Sequence, residues 1–205
     1  MLSFQFKNGE RKLNIMDYIK LVGIIGSIIL VIGAAWKDGK ANSNPIHSIK
    51  NWLFAIGAVV MLSFAFLDYT MNNGPIFFVI LEILVFIACI LMMTTWNDHL
   101  KTIILGIAGS GLLAWSLYLF DDKKIILFVL GLILVALGYA FKMGSLRRSL
   151  ALTVGSIMIA WYSYLEANWI FFTLNLVFGL FSGYYILEYF KNNHSGNSDF
   201  QSDTQ

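Results

Sequence analysis

The chain is poor in the residues that most kinds of reactive site require. One cysteine, Cys89, stands in 205 residues, which excludes a disulfide framework and any paired-cysteine metal or redox motif. The three histidines, His47, His99 and His194, fall in loops or in the C-terminal tail. No metal cluster or nucleophile–base pair therefore assembles within the apolar segments, and neither an enzyme nor a bound cofactor is expected. Prolines number two, and low-complexity tracts are missing. Charged residues make up 13%, about half the ~25% of an ordinary soluble domain. The net charge of +2 is too small to argue for a nucleic-acid partner. What is abundant is apolar side chain, at 58% of residues with a mean hydropathy of +0.72. A water-soluble globule of this length cannot bury that much, so the expected partner is the lipid bilayer.

A bilayer core of ~30 Å needs about 20 helical residues at a rise of ~1.5 Å each. Seven segments qualify: Tyr18–Trp36, Trp52–Leu67, Pro75–Thr95, Thr102–Phe120, Ile125–Phe141, Ser149–Leu165 and Trp169–Leu187. They are apolar all round rather than alternating, which favours helices over barrel strands. The expected fold is an all-α membrane protein with seven transmembrane helices. The first 15 residues contain a weakly alternating run around Asn8-Gly9 and read as a tail, and residues 192–205 read as a polar, disordered tail. With seven spans, the N-terminus and even-numbered loops share one side with six Lys and Arg, and the opposite side carries eight. That bias predicts the N-terminus outside and the C-terminus inside, in a plasma or inner membrane.

The chain also repeats itself. At an offset of 105, Gly26, Ile28, Gly33, Ala35, Lys37 and Gly39 meet identical residues at Gly131, Ile133, Gly138, Ala140, Lys142 and Gly144. At 98, Lys50 meets Arg148, Gly57 meets Gly155, Leu67 meets Leu165, and Asp68 meets Glu166. At 94, Pro75-Ile76-Phe77-Phe78 meets Trp169-Ile170-Phe171-Phe172. Hydrophobicity explains neither the lysine nor the glycine matches, and the offset changes in loops, where insertions are tolerated. Helices 1–3 thus repeat as helices 5–7 in a 3+1+3 parallel arrangement. The domains are a bundle at 16–96, a linker helix at 97–121 and a second bundle at 122–191. The linker's Gly106, Gly109 and Gly111 predict close packing on a neighbour.

This arrangement resembles the SWEET sugar transporters, their single-bundle SemiSWEET relatives and the PnuC vitamin transporters, all of the PQ-loop superfamily. Locally, Trp161-Tyr162-Ser163-Tyr164 followed by Glu166-Ala167-Asn168 and Asn175 is similar to the end of the SemiSWEET second helix and the start of its third. Asn51-Trp52 is similar to an Asn-Trp that opens a helix in PnuC, and Tyr184 to Lys191 resembles the SemiSWEET end. The Pro-Gln dipeptide typical of the first helix is missing, with Gly33-Ala34 and Gly138-Tyr139 standing near its place. The resemblance implies alternating access, with one triplet rocking against the other.

Polar groups within the spans are few, and each is a candidate contact, because a charge at the bilayer centre costs ~2.5–3.5 kcal/mol by insertion scales. Glu82 and Asn175 lie at nearly equal depth in helices 3 and 7 and differ by one alignment position, so a paired bundle brings both to one central cavity. Trp161, deeper than Tyr164 on helix 6, is the candidate stacking surface. Tyr118, Tyr164 and Trp52 read as interfacial anchors, and Cys89 as a small apolar filler. Asp68 and Glu166 read as solvated loop carboxylates. Together these features predict transport of a small uncharged polar solute, a sugar first. A PnuC-type vitamin or nucleoside transporter, or a receptor or scaffold on the same fold, is the alternative.

Overall fold

A computed structural model describes residues 2–36, 45–119, 122–141 and 145–195. Among the described residues every element is helical: α1 (Leu2–Ala35), α2 (Ile49–Asn72), α3 (Ile76–Met93), α4 (Asp98–Tyr118), α5 (Ile125–Ala140), α6 (Leu146–Leu165) and α7 (Trp169–Ser195), with a 3-10 turn at Pro45–His47. Five helices are long and apolar enough to cross a membrane: the Met16–Ala35 part of α1, then α2, α3, α4 and Trp169–Lys191 of α7. That set points to an integral membrane protein. Helix α5 is apolar but has 16 residues, about 24 Å at 1.5 Å per residue. Helix α6 has 20 residues, yet Arg147, Arg148, Ser149, Thr153, Ser156 and Ser163 dilute its apolar content.

Two expectations change at the ends. Residues 2–15, expected as a tail with a turn at Asn8-Gly9, are helical in the backbone and continue α1. Helix α7 runs eight residues beyond Leu187, to Ser195, and residues 196–205 of the expected disordered tail lie outside the described residues. So do Lys37 and Lys40 of the first loop and Lys142 of the fifth.

Local chemistry sets the helix boundaries. Ser48 and Ser145 cap α2 and α6, each hydroxyl accepting from the backbone N–H three residues on, at 3.3 Å. At the far ends of the same two helices the chain turns through left-handed residues, Asn73 (φ 55°) and Ala167 (φ 54°). Gly74 follows Asn73 because a Cβ there would run into the Asp68 carboxylate.

Packing follows chain order. Each helix lies against the next, α7 closes back on α1, and α3 touches α5 directly. Helices α1, α2, α3, α5, α6 and α7 therefore form a ring, and α4 lies outside it against α3 and α5. Helix α4 is the least buried of the five candidate spans. Of its three glycines only Gly109 approaches a neighbour, where an added Cβ would lie 3.3 Å from the Ala136 Cβ; Gly106 and Gly111 face open space. The close packing expected of that run is confined to one residue.

In the α1–α2 and α5–α6 pairs the closest approach is at glycine. A Cβ on Gly26 would lie 3.0 Å from Met61, and one on Gly57 would lie 2.7 Å from Leu30. In the other pair a Cβ on Gly131 would lie 2.7 Å from Ile159, and one on Gly155 would lie 2.9 Å from Val135. The outward faces carry exposed Ile, Leu and Val, together with Trp36, Trp52 and Trp96 toward one end and Tyr118, Tyr164 and Trp169 toward the other. That is the distribution of a lipid-facing surface between two interfacial belts.

Candidate functional site

A cavity of about 490 Å³ lies inside the ring, at the end where α2 and α6 begin and α3, α5 and α7 finish. Its wall draws from α1, α2, α3, α5, α6 and α7. Lys50 faces Arg148 at the mouth, with Ala34 and Tyr139 beneath them, then Cys89 and Ser182, and Glu82 and Asn175 at the floor. Cys89, expected as packing filler, is buried but lines this wall.

One helical turn beyond the floor the bundle is sealed by rings. Phe78 stacks on Phe171 with centroids 4.2 Å apart and planes 3° from parallel. Phe64 flanks Phe171 at 5.6 Å, and Tyr162 flanks Phe78 at 5.7 Å. Phe77 and Phe128 complete the layer, 5.2 Å from each other. All six side chains are buried, and each contact of this kind is worth ~0.5–1.5 kcal/mol beyond its area.

On the other side of that layer the surface dips into an open polar depression bordered by Lys20, Asp68, Lys124, Glu166 and Asn168. The two acidic residues expected as solvated are both engaged here. Asp68 accepts from the amides of Asn72 at 3.0 Å and Asn168 at 3.2 Å, the second bond tying the end of α2 to the α6–α7 turn. Glu166 pairs with Lys124 at 3.0 Å. The Lys124 ammonium is held above its usual range by its hydrogen bond to Glu166 and then by Asp122, while the Lys124 backbone N–H draws the Asp122 carboxyl below its usual range.

Of the three residues singled out as substrate contacts, the structure brings two together. Glu82 and Asn175, at 2% and 8% exposure, share the cavity floor. The Asn175 amide donates to the Phe171 carbonyl one turn back, at 2.9 Å. Glu82 Oε2 has no hydrogen-bond partner; among the described residues it is the one buried side-chain atom so left. Trp161 does not join them. It is 61% exposed on the outer face of α6, and its neighbour Tyr162 points inward instead, so its place is that of an interfacial ring rather than a pocket wall.

Sequence reasoning missed Arg148 and Lys50. Both fall just outside the apolar segments, yet they lie in the first turns of α2 and α6 and border the mouth, and their match in the internal alignment is the available signal. The Arg148 guanidinium lies 5.8 Å from the Tyr139 ring centroid and donates to the Phe141 carbonyl at 3.4 Å. The chain matches no family model, no curated protein and no solved structure.

Proposed function

We propose that this protein is a membrane transporter for a small polar solute, working by alternating access between two repeated three-helix bundles. The observation that carries the reading is a cavity between α1–α3 and α5–α7 whose largely apolar wall carries Lys50, Arg148, Glu82 and Asn175, open at one end and separated from a polar depression by a single aromatic layer. A pore would run through, and a structural bundle would fill its centre with apolar side chains. A pocket on either side of a thin, ring-built barrier is what alternating access requires: the barrier moves and the site does not.

Several features support the duplication beneath this reading. Two glycine contacts in each pair recur at the sequence offsets: Gly57 on Leu30 corresponds to Gly155 on Val135, and Gly26 on Met61 to Gly131 on Ile159. The left-handed residues Asn73 and Ala167 stand 94 positions apart, the offset read for that segment. The α3–α5 and α7–α1 contacts are the two that a twofold axis along the membrane normal would exchange. In this reading α5 and α6 also cross the membrane, making seven spans. The Lys and Arg bias turns the cavity mouth, with Lys50 and Arg148, toward the inside of a plasma or inner membrane. The SWEET-like resemblance favours a sugar as the first solute to try.

Labelling distinguishes this from a receptor or scaffold. In a Cys89→Ser background, Ser182→Cys places one thiol on the cavity wall. A membrane-impermeant thiol reagent is added to vesicles from one face or the other. A transporter is labelled from both faces as the barrier alternates. Labelling from the Lys50 and Arg148 face alone, under all conditions, overturns transport and leaves a binding protein.

A further inference from the structure

The cavity holds two ionisable side chains of opposite kind that no described ion pair compensates, and they sit at different depths. Glu82 at the floor is 2% exposed, with Oε2 unpartnered. The side chains that share its cavity from neighbouring helices bring no positive charge to the floor: Leu30 and Ala34 from α1, Tyr139 from α5, Ser156 from α6, and Asn175, whose amide is given to Phe171, from α7. At the mouth, half-buried Arg148 uses its guanidinium on a neutral carbonyl and a ring, and the described ion pairs both belong to Lys124. Lys50 stands beside Arg148 on the same rim, and Glu188, also at the mouth, is exposed to solvent.

Arg148 and Glu82 do not reach each other because the helices hold them apart. Asn51, next to Lys50, donates to the Met92 carbonyl at 3.3 Å, so the mouth is level with Met92. Glu82 lies ten residues before Met92 on the same helix, roughly 15 Å at 1.5 Å per residue. An unpaired buried carboxylate is expensive as an ion and is relieved either by taking a proton or by meeting a counter-charge. A neutral sugar brings none.

We propose that the solute is an elongated zwitterion, entering with a cationic nitrogen toward Glu82 and an acidic group toward Arg148 and Lys50. The inference rests on the transport reading above and narrows its substrate from small polar molecules in general to those charged at both ends. The amine takes the free carboxylate oxygen at the floor, and the acid takes guanidinium N–H donors that carry no carboxylate now. An α-amino acid, with its charges a few ångströms apart, fills one end of the cavity. A dipeptide or an ω-amino acid spans more of it.

The test is uptake of radiolabelled compounds into liposomes holding the purified full chain. The panel is a dipeptide, its N-acetyl form, its methyl ester and a disaccharide, each also scored by thermal shift for binding. The expected result is uptake of the dipeptide at least tenfold above the blocked forms and the disaccharide. Glu82→Gln is expected to abolish the preference for the free amine while N-acetyl dipeptide still binds. Arg148→Gln is expected to abolish the preference for the free acid while the ester still binds. Uptake of the disaccharide with neither substitution changing selectivity overturns the zwitterion and leaves transport standing. The zwitterion falls likewise if Glu82→Gln removes only the pH dependence of neutral-solute uptake, for then the carboxylate takes a proton. Charge-selective binding without uptake of any compound supports the site and sinks transport. No binding and no uptake of the dipeptide overturns the proposal, and the blocked forms acting on the unaltered chain do not depend on either variant folding.

Discussion

Helices α1–α3 and α5–α7 share one packing plan and line the cavity with different chemistry. In each group the first two helices meet at glycines, Gly23, Gly26, Gly33 and Gly57 in one and Gly131, Gly138 and Gly155 in the other; the second helix begins at a capping serine, and a left-handed residue leads toward the third. At corresponding places on the cavity wall the first group presents Ala34 and Lys50 and the second Tyr139 and Arg148, while Glu82 and Cys89 stand one alignment position from Asn175 and Ser182. The side chains that differ between the two groups give the cavity wall its uneven distribution of charge. The groups differ also in how tightly the frame is drawn. A Cβ on Gly26 meets only side-chain atoms, of Met61 and Val60, whereas one on the matching Gly131 meets the Gly155 carbonyl oxygen at 3.1 Å, a backbone atom that cannot step aside.

The largest expected effect comes from the rings where the two groups meet. Phe171→Ala removes a fully buried ring that contacts both Phe64 and Phe78. By the usual scale for such truncations it costs about 3–5 kcal/mol. Thermal unfolding in detergent should show the loss. Vesicles holding the variant should also leak small solutes, because the barrier between cavity and depression is gone. A tight, fully stable variant would show that the seal lies elsewhere.

Next in size is the contrast between equivalent glycines. Gly131→Ala should destabilise by about 1–3 kcal/mol, the range for overpacking, and Gly26→Ala by less, since only side-chain atoms of Met61 and Val60 stand in its way. Equal melting shifts for the two variants would remove the difference in tightness argued above. The smallest effect is a gain. Ala167 adopts φ 54°, a conformation that costs a residue with a Cβ roughly 1–2 kcal/mol. Ala167→Gly should therefore raise the melting temperature, while Asn73→Gly in the matching turn should change it less, because asparagine tolerates that region.

Much of the architecture was legible in the chain, and the reason is the severity of the bilayer as a solvent. It demands helical runs of a set length, and the charges that interrupt them mark the turns. The pairing of Glu82 with Asn175 was legible too, because an internal alignment converts two separate helices into equivalent positions. Trp161 was not. One residue along a helix is a rotation of about 100°, and on α6 that step separates exposed Trp161 from Tyr162 at 1% exposure. In a soluble helix the polar face would fix the phase. Here lipid and core are both apolar, so the side chains carry almost no record of which way the helix is turned. The same blindness hid the N-terminal extension of α1, whose polar residues gave no membrane signal.

The sequence by itself determined that the chain is helical and built for lipid, where its helices break, and which few polar groups lie within them. Those follow from hydrophobic transfer and from local capping, both of which act over a few residues. Only the tertiary structure decided that α4 stands outside the ring, that six aromatic side chains close one end, and that Glu82 and Arg148 face a common cavity without touching. Helix rotation and neighbour choice depend on how side-chain shapes interlock between segments far apart in the chain, and that complementarity has no local signature.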